Sequence, residues 1–367
     1  MLEKKRKRIT LKIGTRVLTD DQNRIDREMI ANIADQVADV RGSGVEVVLV
    51  SSGAVGSGLG ILGLDKKNIS LSEMQAAASI GQSHLMNIYN EFLTKRGYVA
   101  GQMLLTQEDF SDRRRFLNIK YTLNTLLKHK AVPIVNENDS VSTNEIKCGD
   151  NDRLSGLVAD LADSDMLVIL TDVDGLYDEE NRVIGCVGDI TGDIRALCKG
   201  KGCFESTGGM ITKLEAVKNA THAGIECVIA GGKNKNVFAD IVKGKSIGTK
   251  FNARQRTVKA RKRWIAFSLK AKGSIVIDEG AEKAIVEKKK SLLPSGIIKV
   301  DGTFSDGDVV EVISKERSVI ARGLSNYSAV EISKIMGKKS AEIEKELGYK
   351  DYDEVVHRDN LVVVEKE

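Results

Sequence analysis

Lys12 stands inside a run of strand-forming residues, Ile9-Thr10-Leu11-Lys12-Ile13-Gly14. An ammonium in such a run is costly unless it meets an anion, so Lys12 is expected to point at a ligand past Gly14; a Lys on an exposed strand face would read the same way. A second cationic element is Thr207-Gly208-Gly209-Met210-Ile211-Thr212-Lys213, which precedes the helix-compatible Leu214–His222. Its glycines would let backbone N–H groups approach a phosphate at a helix N-terminus, with Lys213 adding a full charge, although a plain glycine-rich helix start looks alike. Two polar clusters complement these: Asn136-Glu137-Asn138-Asp139 after a strand, and Gly149-Asp150-Asn151-Asp152 leading into a helix. Carboxylates suit an ammonium and amides suit carboxylate oxygens, so the pair fits a polar zwitterion; turns and N-caps use the same residues.

Other chemistries find less support. The stretch Ser51-Ser52-Gly53-Ala54-Val55-Gly56-Ser57-Gly58-Leu59-Gly60 offers small residues and backbone N–H groups, and Gly58 to Gly63 spells GxGxxG. The strand before it ends at Val50, well short of Gly58, and Asp65 arrives too early for a ribose carboxylate, which argues against a dinucleotide fold. Gly244-Lys245-Ser246 lacks the P-loop glycine, because Ala239 stands in its place. His84, His129, His222 and His357 show no ligand spacing, and no HExxH occurs, so no metal site is expected. A serine hydrolase is disfavoured by the lack of a GxSxG elbow with a His partner.

The elements that must position these residues alternate. Strand-like runs Ile9–Ile13, Val45–Val50, Val99–Leu105, Ala131–Val135, Met166–Leu170 and Ile225–Ala230 are separated by the periodic segments Met29–Val40, Glu73–Phe92, Arg114–Lys128 and Leu154–Leu161. This predicts an α/β domain with a mostly parallel sheet covered on both faces, whose ligands gather where the strands end. After the acid-free basic stretch Phe251–Lys270 around Trp264, short strands are expected at Gly273–Ile277, Gly296–Val300, Asp308–Ile313 and Val319–Arg322, with helices at Val330–Met336 and Ala341–Glu346. The domains are therefore expected at 1–267 and 273–367, joined by a linker at 268–272.

Length and composition agree with two domains. The chain has 367 residues, with 41% hydrophobic residues, 29% charged residues and 2 prolines, which excludes extended disorder. Its net charge of +4 conceals a split: 16 Lys and Arg against 19 Asp and Glu from Ala271 onward leave +7 for the rest. Anion chemistry is thus expected in the first part. The cysteines at 148, 186, 198, 203 and 227 are odd in number and form no CxxC, which suggests a reduced, cytoplasmic protein. No apolar run reaches membrane-spanning length, and Lys4 to Arg8 reads as a short solvated basic terminus.

In order, LKIGTRVLT, VLVSSGAVGSG, GQMLLT, PIVNENDSV, GDNDRLS, LTDVDGLY and STGGMITKLEA resemble the amino-acid kinase superfamily, and within it the glutamate 5-kinases, over Ile9–Lys262. The tail, with LLPSGI, GTFSDGD and ARGLSNY, resembles a PUA domain. The resemblance implies an αβα sandwich that uses ATP and Mg²⁺ to phosphorylate the 5-carboxylate of glutamate, the first step of proline biosynthesis. On that analogy Lys12 and Lys213 hold the phosphoryl group and Asp152 positions them; Ser52, Asp139, Asp150 and Asn151 bind glutamate. Thr171, Asp172 and the run Thr207, Gly208, Gly209, Met210, Ile211, Thr212 and Lys213 bind the nucleotide, with Lys12 beside them. It also implies a homo-oligomer inhibited by proline. A carboxylate with a reference pKa of about 4.3 is already ionised at neutral pH, so such chemistry requires cations rather than a general base. Alternatives are a sister phosphotransferase of the superfamily, and an RNA-binding factor acting through the PUA-like tail, which the tail's net −3 disfavours.

Overall fold

The computed structural model describes residues 7–20, 24–65, 69–141, 151–197, 209–253 and 271–364. The chain divides into two units, Met1–Arg256 and Thr257–Glu367. The first is built on an eight-stranded sheet: β1 (Arg8–Ile13), β2 (Glu46–Ser51), β3 (Ala100–Leu105), β4 (Val132–Glu137), β5 (Met166–Thr171), β6 (Cys186–Val187), β7 (Glu226–Gly231) and β8 (Thr249–Phe251). They lie in the order β3-β4-β2-β1-β5-β7-β8-β6, parallel throughout except for the β7–β8 pair.

Period-two alternation divides the sheet's apolar residues between two cores. Ile9, Leu11 and Ile13 of β1 join Val47, Leu49, Val168 and Leu170 on one face, beneath the helices Arg27–Gly42, Leu71–Lys95 and Val237–Val242. Val48 and Val50 of β2 and Leu167 and Ile169 of β5 point the other way, toward Asn151–Leu161, Met210–His222 and Arg113–Lys128. Burying each large aliphatic contributes about 1.5–3 kcal/mol. The three on β1 therefore fix its register and send Thr10 and Lys12 to the opposite face. There Thr10 Oγ1 shares a hydrogen bond of 2.8 Å with Ser164 Oγ.

Several expectations change in detail. The strands β2, β4 and β5 run past their apolar residues to include Ser51, Asn136–Glu137 and Thr171, because these buried polar residues continue the ladder. The glycine-rich stretch folds as a helix, Ala54–Leu62, which opens from Gly53 at φ +102° and ends at Gly63. Close packing explains its glycines: a Cβ on Gly58 would stand 1.8 Å from the Ala77 carbonyl oxygen, and one on Gly81 would stand 1.9 Å from that of Ala54. The helix Leu71–Lys95, started by a Ser70–Glu73 capping box, thus crosses Ala54–Leu62 at backbone contact. Arg8, expected in a solvated terminus, instead opens β1 and pairs with Glu46 at 2.8 Å. Lys4, Lys5 and Arg6 lie outside the described residues, as do Trp264, most of the basic stretch and residues 268–270.

The second unit carries a five-stranded sheet in the order β10-β9-β11-β12-β13, formed by β9 (Gly273–Ile277), β10 (Ile297–Gly302), β11 (Val309–Ile313), β12 (Val319–Leu324) and β13 (Leu361–Val363). Its own core gathers Ile275, Ile277, Val310, Val312, Ile332 and Ile335. A helix at Glu279–Val286, capped by Asp278, and the short β13 add to the elements read from sequence.

Candidate active site

Parallel pairing brings the ends of β1, β2, β4 and β5 to one sheet edge, with Lys12 opposite Val50 and Ile169 in register. Lys12 and Lys213 meet there on one carboxylate. Asp152, in the first turn of Asn151–Leu161, ion-pairs with Lys12 through Oδ1 and with Lys213 Nζ through Oδ2 at 3.0 Å. Lys213 lies in the first turn of Met210–His222, which begins four residues earlier than its sequence suggested. Gly156 sets the spacing of these two helices: a Cβ there would lie 3.0 Å from the Ala216 carbonyl oxygen. Thr212 Oγ1 also donates to Asp152 Oδ2 at 3.0 Å.

Lys12, Asp152 and Lys213 are 5%, 1% and 7% exposed, so two ammoniums and one carboxylate share a largely dehydrated corner. Burial alone would push the Asp152 carboxyl up, but the two lysines outweigh it and hold it well below the usual carboxylate range. With charges of +2 and −1, the cluster favours a further anion. Gly14 leaves room beside it, since a Cβ there would stand 3.7 Å from Lys12 Nζ and 3.2 Å from the Leu170 carbonyl oxygen. Gly209 opens the Met210–His222 helix with no side-chain cap, which leaves its N-terminal dipole turned to the same corner.

A chain of amides extends from this corner. Asn151 Nδ2 donates to Ser52 Oγ at 3.0 Å, to Asn136 Oδ1 at 2.9 Å and to the Ser51 carbonyl at 3.3 Å. Asn136 Nδ2 donates to Gln82 Oε1 at 2.7 Å, and Asn136 Oδ1 accepts from the Glu137 backbone N–H at 2.9 Å. Ser51 Oγ is anchored in turn by the buried Tyr89 hydroxyl at 2.9 Å. Burial pushes that phenol well above its ordinary range, so it stays neutral. Sequence reasoning missed Gln82, although a glutamine in helical register with Ala78 and Leu85 was the available sign.

The expected nucleotide residues are partly assembled. Thr171 ends β5, nearly buried, and donates to Asp172 Oδ1 at 3.0 Å; Arg16 pairs with Asp172 Oδ2 at 2.9 Å. Burial opposes the Asp172 charge, but hydrogen bonds from Arg16 and Thr171 prevail and its carboxyl titrates below the usual range. Met210 and Ile211 open the helix that carries Lys213, while Asp150, Thr207 and Gly208 lie outside the described residues. Asp139 sits half-buried in the turn after β4, where the Val141 N–H bonds the Asn138 carbonyl at 3.1 Å.

Known proteins share this arrangement's sequence from end to end. The pattern of the amino acid kinase family matches residues 7–231, and that of the PUA domain matches residues 273–347. The chain is 47% identical over 365 residues to the glutamate 5-kinase of Thermoanaerobacter sp. (strain X514), covering 98% of each. It is 45% identical over 364 residues to the glutamate 5-kinase of Moorella thermoacetica, covering 98% of this chain and 96% of that one. The glutamate 5-kinase of Geobacter sulfurreducens gives 45% over 364 residues, with 98% coverage of both. Coverage on this scale includes both units, so the likeness is not confined to the sheet that carries the lysines. With a family pattern spanning that sheet and relatives aligned along nearly their whole length, the chain belongs to the amino acid kinase family and bears a PUA domain at its C-terminal side.

Proposed function

We propose that the protein is a glutamate 5-kinase, transferring the γ-phosphoryl group of ATP to the side-chain carboxylate of glutamate. The observation that carries this reading is the Asp152 carboxylate shared by two nearly buried lysines next to the Ser52–Asn151 pocket. The acceptor carboxylate is ionised at neutral pH, so no proton has to be removed before it attacks. A carboxylate oxygen bonds to the γ-phosphorus as the bond to the bridging oxygen of ADP breaks, yielding glutamyl 5-phosphate and ADP. The difficulty lies in bringing two anions together. Lys12 and Lys213 would offset that repulsion and hold the charge on the transferring group, while Asp152 keeps their ammoniums apart and aimed. Ser52 and Asn151, together with Asp139 and Asp150, would hold glutamate; Thr171, Asp172 and the Thr207–Lys213 run would hold the nucleotide.

Mg²⁺ would neutralise phosphate charge when bound. Among the described residues no group of three or more His, Cys, Asp and Glu converges, so the ion is expected to enter on the phosphates of ATP. Among those residues, too, no helix is long and apolar enough to cross a membrane. The same proposal includes a cytoplasmic homo-oligomer inhibited by proline, carried over from the resemblance.

Incubation with glutamate, ATP and Mg²⁺ in the presence of hydroxylamine tests the assignment. Glutamyl hydroxamate should accumulate in step with ADP. ADP release no greater than in a glutamate-free control would overturn it.

A further inference from the structure

Two backbone groups fix the polarity of the amide chain. A peptide N–H can only donate, so the group of Asn136 that meets the Glu137 N–H at 2.9 Å must be its oxygen. A carbonyl can only accept, so the group of Asn151 that meets the Ser51 carbonyl at 3.3 Å must be its nitrogen. Asn136 is left with its Nδ2 facing inward, and at 1% exposure that nitrogen needs an acceptor. Gln82 Oε1 supplies it at 2.7 Å. At the far end of the chain, Asn151 Oδ1 is buried without a hydrogen-bond partner among the described residues.

Gln82 is an expensive choice for its place. It is buried on the Leu71–Lys95 helix in register with Ala78 and Leu85, and its own Nε2 is buried without a partner among the described residues. A leucine or methionine would fill that site with no orphaned donor, so what distinguishes glutamine here is the acceptor it gives Asn136. Gly81 and Ala54 hold it there, since their helices meet at backbone distance beside the end of β2.

We infer that Gln82 is a positioning residue that makes the pocket select an amino acid over the corresponding diacid. By engaging Asn136 Nδ2 it holds in place the amide that accepts from Asn151, so that Asn151 stays where its Oδ1, an acceptor, meets a substrate ammonium. Without Gln82, Asn136 Nδ2 is buried with no acceptor, and the Asn136 side chain shifts toward one at the expense of the bond it accepts from Asn151 Nδ2. Asn151, less firmly held, then no longer presents its Oδ1 squarely to the ammonium. This inference rests on the glutamate kinase reading.

Glutarate, which is glutamate without its amino group, separates the effect from a general loss of fit. In the full-length protein Gln82→Met should raise the KM for glutamate by about tenfold or more, the scale of losing one hydrogen bond to a charged group. The KM for ATP, kcat and the inhibition constant of glutarate should each stay within about threefold, less than half of one such bond. Gln82→Glu retains an acceptor for Asn136 and should preserve the ratio of glutamate KM to glutarate inhibition constant. An equal loss of glutamate and glutarate affinity in Gln82→Met, or no loss of either, would overturn the inference. If Gln82→Met does not fold, a collapsed ratio in a folded Gln82→Glu protein overturns it equally. Failure of the kinase reading itself would appear separately, as wild-type protein with no glutamate-dependent ADP release.

Discussion

Lys213 Nζ lies 3.0 Å from one oxygen of Asp152, the carboxylate whose other oxygen holds Lys12. One strand and the first turns of two helices thus converge on a single acidic group. If the two lysines act on charge that develops as the phosphoryl group moves, Lys213→Met should lower kcat by about 10²-fold or more while leaving the glutamate KM within about threefold. A steady-state comparison suffices; an unchanged kcat would remove Lys213 from the phosphoryl-transfer machinery.

Asp152→Asn should damage folding as well as activity. The substitution leaves two nearly buried ammoniums without their counter-ion, a loss of about 3–5 kcal/mol when a buried pair is broken. Urea unfolding at neutral pH reads this directly. The acid limb gives a second check. The folded Asp152 titrates below its unfolded value of about 3.9, so its stabilisation is full above that value and is lost as pH falls through the lower folded one. The wild type should lose this contribution below about pH 4, and Asp152→Asn should show a flatter acid limb.

Gly81→Ala tests the helix crossing that seats Gln82. A Cβ there would stand 1.9 Å from the Ala54 carbonyl oxygen, so the helices must separate. Overpacking of this kind costs about 1–3 kcal/mol or more. The expected result is a lower melting temperature together with a higher KM for glutamate and an unchanged KM for ATP.

How far the site could be read from the sequence depended on the kind of residue. Lys12 was legible because a lysine among strand aliphatics demands an anion, and that anion proved to include Asp152 of the chain itself. The strand ends were read short because Ser51, Asn136, Glu137 and Thr171 look like loop residues until a ladder partner buries them. Gly58 stood in a stretch that looked open to an anion, whereas it and Gly81 each mark a backbone contact with a neighbouring helix. Such contacts have no local pattern. Gln82 escaped notice for the same reason, since its partner Asn136 belongs to a strand far along the chain.

The second unit should be separable from the chemistry. Its core lies wholly between Ile275 and Leu361, and the cores around the sheet of the first unit end at Phe251. A chain ending at Phe267 is expected to fold and to keep its kcat within about tenfold, because each unit has its own core. Circular dichroism and ADP release decide the matter: a folded, shortened protein with kcat lowered more than about 10²-fold, the loss of a stabilising donor, would place part of the active site beyond residue 267.

The central claim is that the side-chain carboxylate of glutamate attacks phosphorus in the corner held by Lys12 and Lys213. Glutamate carrying ¹⁸O in both oxygens of that carboxylate tests it most directly. The acyl phosphate formed loses phosphate when the amino group attacks its carbonyl carbon, and the bridging oxygen leaves with the phosphorus. Inorganic phosphate released by the wild type should therefore show, by ³¹P NMR, one ¹⁸O for each ADP formed, and Lys213→Met should slow its appearance by about 10²-fold or more. Phosphate that appears with ADP but carries no label would mean that water, not glutamate, takes the phosphoryl group, and would contradict the account.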